Sequence, residues 1–345
     1  MEWAKPTNSK GAVDRAGKVL TKSEIEIEEY FSALEVVNNW RASHHYPLNT
    51  FKVTLRRYAS EIDNDFLVAQ RIKRLSSITH KLERFQSLRL SQMQDIGGCR
   101  AVLSNLNQIY ELIKRYETSD LRHVKDDLDD YIVNPKPSGY RGVHLIYKYN
   151  SEKIAAYNGL YIEIQIRSKL QHAWATAVET VGTFLNQPLK SSIGEEKWLR
   201  MFALMGSIFA LRERSKVLVP NTPLSKKELV SELKTIVAEL DVINSLQMFS
   251  AAINVTQPGE KKDKHYFLLK LVPSQQEMTV SSFSRKQLEQ ATAAYLEVEK
   301  ELKNQQGTDA VLVSADSLAN LKRAYPNYFL DTQVFLNELK RAIAS

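Results

Sequence analysis

LYIEIQIR, residues 160–167, is the segment most informative about the fold. Its side chains alternate between apolar and polar, which predicts a β-strand with one face in the core and one polar face. The polar face has two interpretations: a half-exposed strand that meets water, or a strand that carries chemistry. The apolar members are Leu160, Ile162, Ile164 and Ile166, and the polar members are Tyr161, Glu163, Gln165 and Arg167.

Two further strands are predicted upstream, at residues 99–104 and 143–149. They are separated by a helical stretch at 105–117 and by the turn-forming sequence PKPSGY. Strands that alternate with helices predict a mixed α/β core. Helical periodicity also marks a first helix from Ser23, with Glu26 spaced for a capping box, an Arg- and Lys-rich segment at 65–90, residues 168–216, and a helix that starts at Ser225 and Glu228.

Beyond Leu240 the pattern changes to short strands, which predicts a separate small α/β module. The predicted elements are three antiparallel strands at 251–257, 265–273 and 277–284, and helices at 285–303 and 330–343 that flank a strand at 309–314. The fold class expected is therefore α/β (α+β), with a mixed β-sheet flanked by helices and a small C-terminal α/β regulatory module.

Composition limits the classes of protein without choosing one. The 345 residues carry 47 Lys and Arg against 40 Asp and Glu, a net charge of +7 that permits a polyanionic partner. The single cysteine, Cys99, excludes an intrachain disulfide framework and a Cys-ligated zinc site. No segment has the apolar run of a signal peptide or a membrane span, so a cytoplasmic protein with no membrane partner is expected.

Three polar segments could bind an anionic ligand, although each also has a bland interpretation. Lys73, Ser77 and Lys81 would share one stripe of a helix, as an anion site or as a solvated face. Asp95 precedes paired glycines and a strand, where it could hold Mg²⁺ or simply be exposed in a turn. A Gly-containing loop offers an aromatic beside cations, suited to base stacking or to a surface turn: Lys136, Tyr140, Arg141 and His144.

These segments together resemble the RelA/SpoT synthetase family. The matching motifs, in chain order, are R-x-K-x₃-S-x₃-K from Arg71 to Lys81, DIGGCR at 95–100, KPSGYRGVH at 136–144 and EIQIR at 163–167. The resemblance implies transfer of pyrophosphate from ATP, with Mg²⁺, to a ribose 3′-hydroxyl. The chain contains no His-Asp dipeptide, so the family's hydrolase activity is not expected.

The resemblance also assigns a role to each matching residue. In the family, the positions of Arg71 and Arg100 sandwich adenine, and those of Lys73, Ser77 and Lys81 contact the ATP phosphates. Asp95 matches the Mg²⁺ ligand, and Glu163 matches the residue that assists Mg²⁺ and acts as general base, with Gln165 beside it. The acceptor-binding matches are Lys136, Tyr140, Arg141, His144 and Arg167, with Tyr140 stacking on the acceptor base.

A carboxylate is a weak base at its ordinary pKa. We therefore expect burial or a neighbouring carboxylate to raise the pKa of Glu163.

Two features indicate a particular branch of the family. Where alarmone synthetases usually have YRSLH, residues 140–144 read YRGVH, and Tyr325-Pro326-Asn327-Tyr328 precedes the last helix. This layout resembles CapRel, the fused toxin-antitoxin proteins of phage defence, in which such tyrosines block the ATP site. The alternative for the YPNY sequence is a proline turn whose aromatics fill a small core.

The CapRel resemblance implies four segments and a set of partners. The expected segments are a pyrophosphokinase toxin domain at 1–220, a connecting helix at 221–244, a zinc-finger-like module without Cys ligands at 245–310, and an autoinhibitory, sensing segment at 311–345. The expected acceptor is the 3′ CCA end of tRNA, with a phage capsid or other phage protein as trigger and no DNA partner. The alternative is a small alarmone synthetase that makes (p)ppGpp from ATP and GDP or GTP.

Overall fold

The computed structural model describes residues 3–22, 24–185, 187, 189, 192–218, 221, 224–251, 254–256, 264–272, 275, 277–302, 308–315, 317–329 and 331–344. Ser23, predicted to cap the first helix, lies outside these residues, as does most of the predicted turn at 258–264. Within the described part of the chain, every helix is too short or too polar to cross a bilayer.

One mixed sheet runs through the described residues, and its strand order is β3-β4-β5-β2-β1-β9-β7-β8-β6. Residues 160–167 fall largely within β5, a strand as their alternation predicts. β5 pairs in parallel with β2 and antiparallel with β4. The strands are β1 Leu67–Ile72, β2 Gly97–Leu103, β3 Val124–Asp130, β4 Val143–Lys148, β5 Tyr161–Ser168, β6 Asn254–Thr256, β7 Lys264–Val272, β8 Glu277–Ser284 and β9 Asp309–Ser314.

Helices cover the sheet and confirm the mixed fold class. Those at the N-terminal side are α1 Lys10–Val19, α2 Ile27–Ser43, α3 His45–Ile62, α4 Leu75–Arg84 and α5 Leu106–Glu117. The following helices are α6 Lys169–Phe184, α7 Glu196–Arg212, α8 Lys226–Glu239, α9 Val242–Ala251, α10 Leu288–Leu302, α11 Leu318–Ala324 and α12 Gln333–Ala344. The predicted capping pair Ser225 and Glu228 is present at the start of α8.

The prediction of one helix over residues 65–90 is wrong. Residues 67–72 form strand β1, and only Leu75–Arg84 is helical. β1 pairs with β2 on one side and β9 on the other, and this pairing overrides the helical spacing of the segment's basic residues. Lys73 therefore lies on the loop before α4 rather than on one helical stripe with Ser77 and Lys81.

The C-terminal strands do not form a separate module. β9 pairs antiparallel with β1, opposing Gln70 to Ser314 and Arg71 to Val313, and with β7 on its other side. Residues from both halves of the chain share one buried apolar cluster. It contains Leu67 and Val102 from the first half, and Phe267 and Tyr328 from the second. The two parts are thus joined by backbone pairing as well as by packing.

Two further sequence predictions about the tail need correction. β6 pairs with β8 in parallel, not antiparallel. The predicted segment boundary between residues 310 and 311 falls inside β9. A cut there would remove most of a strand that bridges two others and would leave their backbone groups unpaired. Any truncation that tests the last segment should therefore begin after Ala315.

Candidate active site

Asp95 and Glu163 line one cavity, as the resemblance implies. Asp95 precedes β2, and Glu163 of β5 lies opposite Gly98 in the parallel β2–β5 ladder. A Cβ at Gly98 would lie 4.0 Å from Glu163 Oε2, so the glycine leaves space beside the carboxylate. The cavity is lined by Ala69, Arg71, Lys73, Asp95, Gly98, Cys99, Arg100, Glu163, Gln165 and Tyr325.

Asp95 is held by two of the predicted phosphate-binding lysines. Lys73 Nζ lies 2.7 Å from Asp95 Oδ2, and Lys81 Nζ lies 3.0 Å from Asp95 Oδ1. Burial raises the pKa of Asp95, but the two ammonium groups outweigh it and lower the pKa overall. Ser77 lies one turn before Lys81 on α4. These contacts bring the β1–α4 segment and the Asp95 turn together.

Glu163 is the centre of a buried polar network. Its Oε1 lies 2.8 Å from His144 Nδ1, and its Oε2 accepts a hydrogen bond of 2.6 Å from Gln165 Nε2. Burial by itself raises the pKa of Glu163, but His144 and Gln165 reverse the direction and lower it. The expectation of a raised pKa is therefore wrong for this conformation, because the partner of the carboxylate is a cation.

His144 is correspondingly charged. Burial lowers its pKa, but Tyr140 and Glu163 outweigh burial and raise the pKa to about 9. Its Nε2 lies 2.6 Å from the Tyr140 hydroxyl, which also accepts a hydrogen bond of 2.8 Å from Arg167 Nη2. Glu163 and His144 thus form an ion pair, and a hydrogen bond from His144 extends it to Tyr140. The network links β5 to the predicted acceptor-binding segment 136–144, called here the acceptor loop.

The His144–Glu163 pair predicts a pH dependence of stability. Because the folded pKa of His144 is raised from 6.5 to about 9, its stabilising contribution is complete below pH 6.5 and is lost as the pH rises through about 9. We expect the unfolding free energy of the wild type to exceed that of His144→Asn by a few kcal/mol at pH 6 and to converge with it above pH 9. Denaturant unfolding at several pH values measures this, with exposed His80→Asn as control; an unchanging difference would contradict it.

Tyr140 is not open to an acceptor base in this conformation. It is only 4% exposed, and its ring packs against Tyr131 and Trp174, with the Arg167 guanidinium 5.0 Å from the ring centre. Lys136 lies over the Tyr131 ring at 4.1 Å. Stacking of a base on Tyr140, as predicted from the family, would require the acceptor loop to move.

Glycines hold the acceptor loop in this inward position. Gly139 has a φ of +94° and Gly142 a φ of +146°. A Cβ at Gly142 would come within 3.2 Å of the Ile166 carbonyl oxygen, so a serine would not fit without a shift. Arg141 points away from the cavity, is buried, and donates from Nε to the Gly206 carbonyl at 3.2 Å. The glycine of the YRGVH sequence thus lets the loop take the position in which Tyr140 is buried.

The predicted adenine-binding arginines lie beside the tail tyrosines. Tyr325 lines the cavity with Arg71 and Arg100, and Arg100 Nη1 lies 3.5 Å from the Ala324 carbonyl oxygen. Burial lowers the pKa of Arg71, but nearby Tyr328 and other groups outweigh it and raise the pKa. Burial, reinforced by Arg167, lowers the pKa of Arg100 to about 10. The electrostatic surroundings of both arginines therefore include tail tyrosines.

The cavity that remains is too small for a nucleotide. Its volume is about 30 Å³, against roughly 300–1,000 Å³ in typical ligand pockets. Tyr325 is 3% exposed and Tyr328 is 1% exposed, so both rings are buried between the tail and the sheet. Segment 323–325 is also anchored by Arg323, whose carbonyl oxygen lies 3.1 Å from His172 Nε2 and whose guanidinium pairs with Asp65 at 2.6 Å.

Sequence reasoning missed two residues at this site. Glu179 of α6 acts electrostatically on both Arg71 and Arg100: it helps raise the pKa of Arg71 and partly opposes the lowering of the Arg100 pKa. His172, two turns earlier on the same face of α6, is buried, and burial together with Arg100 lowers its pKa to about 3. Both follow EIQIR on the next helix, so helical periodicity after the strand was the only available signal.

A protein-family model and curated relatives agree with this geometry. Residues 70–182 match the model described as "Region found in RelA / SpoT proteins". The GTP pyrophosphokinase YjbM of Bacillus subtilis is 30% identical over 151 residues, which cover 43% of this chain and 69% of that protein. The chain belongs to the RelA/SpoT family.

Longer curated relatives match over a similar number of residues. The GTP pyrophosphokinase of Haemophilus influenzae is 26% identical over 145 residues, and that of Escherichia coli K12 is 28% identical over 144 residues. The match covers 42% of this chain but only 18% of the length of each of these relatives. This chain therefore spans less than a fifth of the length of these two relatives.

Solved structures of RelA/SpoT-family proteins cover a similar share. The small alarmone synthetase 1 of Bacillus subtilis bound to its product pppGpp is 23% identical, with a TM-score of 0.44 over 50% of this chain and 89% of that chain. The small alarmone synthetase 2 of the same organism is 22% identical, with a TM-score of 0.44 over 51% of this chain and 93% of that chain.

Proposed function

We propose that this chain is an ATP-dependent pyrophosphokinase that its own C-terminal segment holds inactive. The observation that carries the proposal is the composition of the cavity, where predicted ATP-binding residues, two carboxylates and Tyr325 meet. Arg71 and Arg100 would bind adenine, and Lys73, Ser77 and Lys81 would bind the phosphates. In this proposal the buried rings of Tyr325 and Tyr328 occupy the space that adenine needs, close enough to the arginines to act on them electrostatically.

The carboxylates fit a magnesium ion carried by the substrate. Among the described residues no group of three His, Cys, Asp or Glu side chains could hold a metal by itself. Mg²⁺ usually binds one or two carboxylates together with substrate phosphates, which is the donor set that Asp95 and Glu163 would complete with ATP. When bound there, the ion would neutralise charge on the transferring phosphates. Lys73 and Lys81 would then have to release Asp95.

The chemistry follows from the positions of these residues. The acceptor 3′-oxygen attacks the β-phosphorus of ATP, the bond from that phosphorus to the α–β bridging oxygen breaks, and AMP leaves. Glu163 takes the proton of the hydroxyl, and the lysines and arginines stabilise the charge on the phosphoryl oxygens. Because the Glu163 pKa is lowered by His144 in the closed conformation, an opening that separates the pair would make Glu163 a stronger base.

The acceptor that the relatives favour is GDP or GTP. Their names describe GTP pyrophosphokinases, and one solved relative is bound to pppGpp. A second candidate, the 3′ end of tRNA, is favoured by the altered acceptor loop, where Gly142 lets Tyr140 turn inward. A phage-protein trigger and a CapRel-type defence role remain predictions from the resemblance.

One labelling experiment separates the acceptors. A full-length variant with Tyr325 and Tyr328 replaced by alanine is incubated with ATP labelled at the γ-phosphate and with GDP, GTP or tRNA. We expect the label in guanosine nucleotide; label in tRNA alone would support the second candidate and overturn the first. No transfer to any acceptor, in a variant that binds an ATP analogue, would contradict the proposed activity. Glu163→Gln in the same background is the control for transfer by this site.

A further inference from the structure

A buried arginine on α2 connects the C-terminal region to the phosphate-binding segment. Arg41 is 2% exposed, and its Nε donates a hydrogen bond of 3.1 Å to the Lys73 carbonyl oxygen. Lys73 is the residue whose ammonium group binds Asp95. Arg41 therefore fixes the main chain at the point from which a predicted phosphate-binding lysine projects.

The remaining donors of Arg41 are satisfied mostly by α10. Nη1 donates to Glu299 Oε2 at 2.8 Å and to Asn38 Oδ1 at 2.9 Å. Nη2 donates to Glu299 Oε1 at 3.1 Å and to the Tyr295 hydroxyl at 2.8 Å. The guanidinium thus forms a fork on the Glu299 carboxylate, a geometry that lysine cannot reproduce.

Glu299 also contacts the phosphate-binding segment directly. Its Oε1 accepts a hydrogen bond of 3.0 Å from the Leu75 amide, the first residue of α4. The N-cap residue of this helix, Arg74, makes no side-chain capping bond, so a carboxylate from a distant helix caps the first turn. The helix that carries Ser77 and Lys81 is therefore held at its start by α10.

We propose that Arg41 is a positioning residue for the phosphate-binding segment 73–81, and that Glu299 makes this segment sensitive to whether the C-terminal region is docked. Arg41 acts on ATP through the Lys73 main chain and does not itself contact substrate. The inference rests on the proposed function, because it concerns the same ATP site. It differs from the tyrosine block, which is made by Tyr325 and Tyr328 and not by α10.

Two variants that break the same ion pair distinguish positioning from simple tethering. Glu299→Gln weakens docking but leaves Arg41 on the Lys73 carbonyl, so we expect it to bind a non-hydrolysable ATP analogue at least tenfold more tightly than the wild type. Arg41→Met weakens docking equally but also loses the Lys73 contact, so we expect no gain and binding at least tenfold weaker than in Glu299→Gln. Isothermal titration calorimetry on full-length proteins measures both.

Equal tightening by both variants would overturn the proposal, because Arg41 would then only tether the tail. Arg41→Lys keeps the charge without the fork and should give an intermediate affinity; it also serves if Arg41→Met does not fold. Glu301→Gln is the matched control, since Glu301 lies on α10 in an exposed pair with Lys270 at 2.8 Å, and it should bind like the wild type.

Hydrogen exchange separates failure of this inference from failure of the proposed function. In Glu299→Gln, exchange of the Leu75 amide should be at least tenfold faster than in the wild type, whether or not the protein transfers pyrophosphate. Unchanged protection of that amide would overturn the role of Glu299. If no variant binds the ATP analogue, including the double tyrosine variant, the proposed function fails, while the exchange result still tests the coupling.

Discussion

Replacing Tyr325 and Tyr328 together by alanine in the full chain will raise pyrophosphate transfer from ATP at least tenfold. Both rings are buried, Tyr325 beside Arg71 and Arg100 and Tyr328 near Arg71, and the cavity of about 30 Å³ that Tyr325 lines cannot admit a nucleotide until the tail leaves. Removing a buried aromatic ring costs roughly 3–5 kcal/mol in cores. If a quarter of the packing free energy lost at the two rings weakens docking of the tail, the population with an undocked tail rises at least tenfold, because about 1.4 kcal/mol corresponds to a factor of ten.

The matched control for this variant is Phe329→Ala. Phe329 is partly buried against the same apolar cluster and follows Tyr328, but it does not line the cavity. The Phe329→Ala substitution should destabilise the packing of the tail but open the predicted adenine site less than the double tyrosine variant does. Rates are measured as AMP released from ATP in the presence of acceptor. If Phe329→Ala and the double tyrosine variant activate equally, the tyrosines act by general packing and not as a block.

Substituting Glu163 by glutamine will reduce transfer about 10³-fold in the activated background. A positioned general base typically contributes 10²–10⁴ in rate, and the amide can neither accept the proton nor bind a metal as a carboxylate does. The shape is retained, and Gln165 Nε2, now 2.6 Å from Oε2, can still donate to an amide oxygen. Single-turnover rates with saturating ATP and acceptor measure the loss.

Glu152→Gln provides the control for a charge change, because Glu152 is exposed on the loop before β5. It should leave the rate within about twofold of the activated parent, as expected for a surface substitution. An ATP-analogue titration checks that Glu163→Gln still binds nucleotide. Full transfer by Glu163→Gln would assign proton abstraction to another group, and Asp95 would be the next carboxylate to test.

Local pattern was sufficient to predict the strand that carries Glu163 and its neighbours. The alternation from Leu160 to Arg167 predicted β5, and the structure confirms this strand and the predicted strands on either side of it, which start at Gly97 and Val143. Period-two alternation is a local property of a strand with one buried face, so it is readable without knowledge of the partners. The order of the motifs along the chain predicted that Asp95 and Glu163 belong to one site, and in the structure both line one cavity.

Features that depend on distant partners were not predictable in the same way. β1 read as a helix because its strand character comes from pairing with β2 and β9, and Ser314 of β9 opposes Gln70 across 244 positions of chain. The Arg41–Glu299 contact spans 258 positions, and nothing in either local sequence indicates the other. The lowered pKa of Glu163 likewise required knowing that His144 is its partner across the β4–β5 ladder.

The position of β9 between β1 and β7 also has a consequence for biosynthesis. β9 is the last of these strands in chain order, and at about 5–20 residues per second the 146 residues from the end of β5 to the end of β9 take roughly 7–29 s to be made. During that interval the β1 edge has an open row of backbone donors and acceptors, which is a template for pairing with another nascent chain. Slow translation of the 3′ part of the message would prolong this exposure.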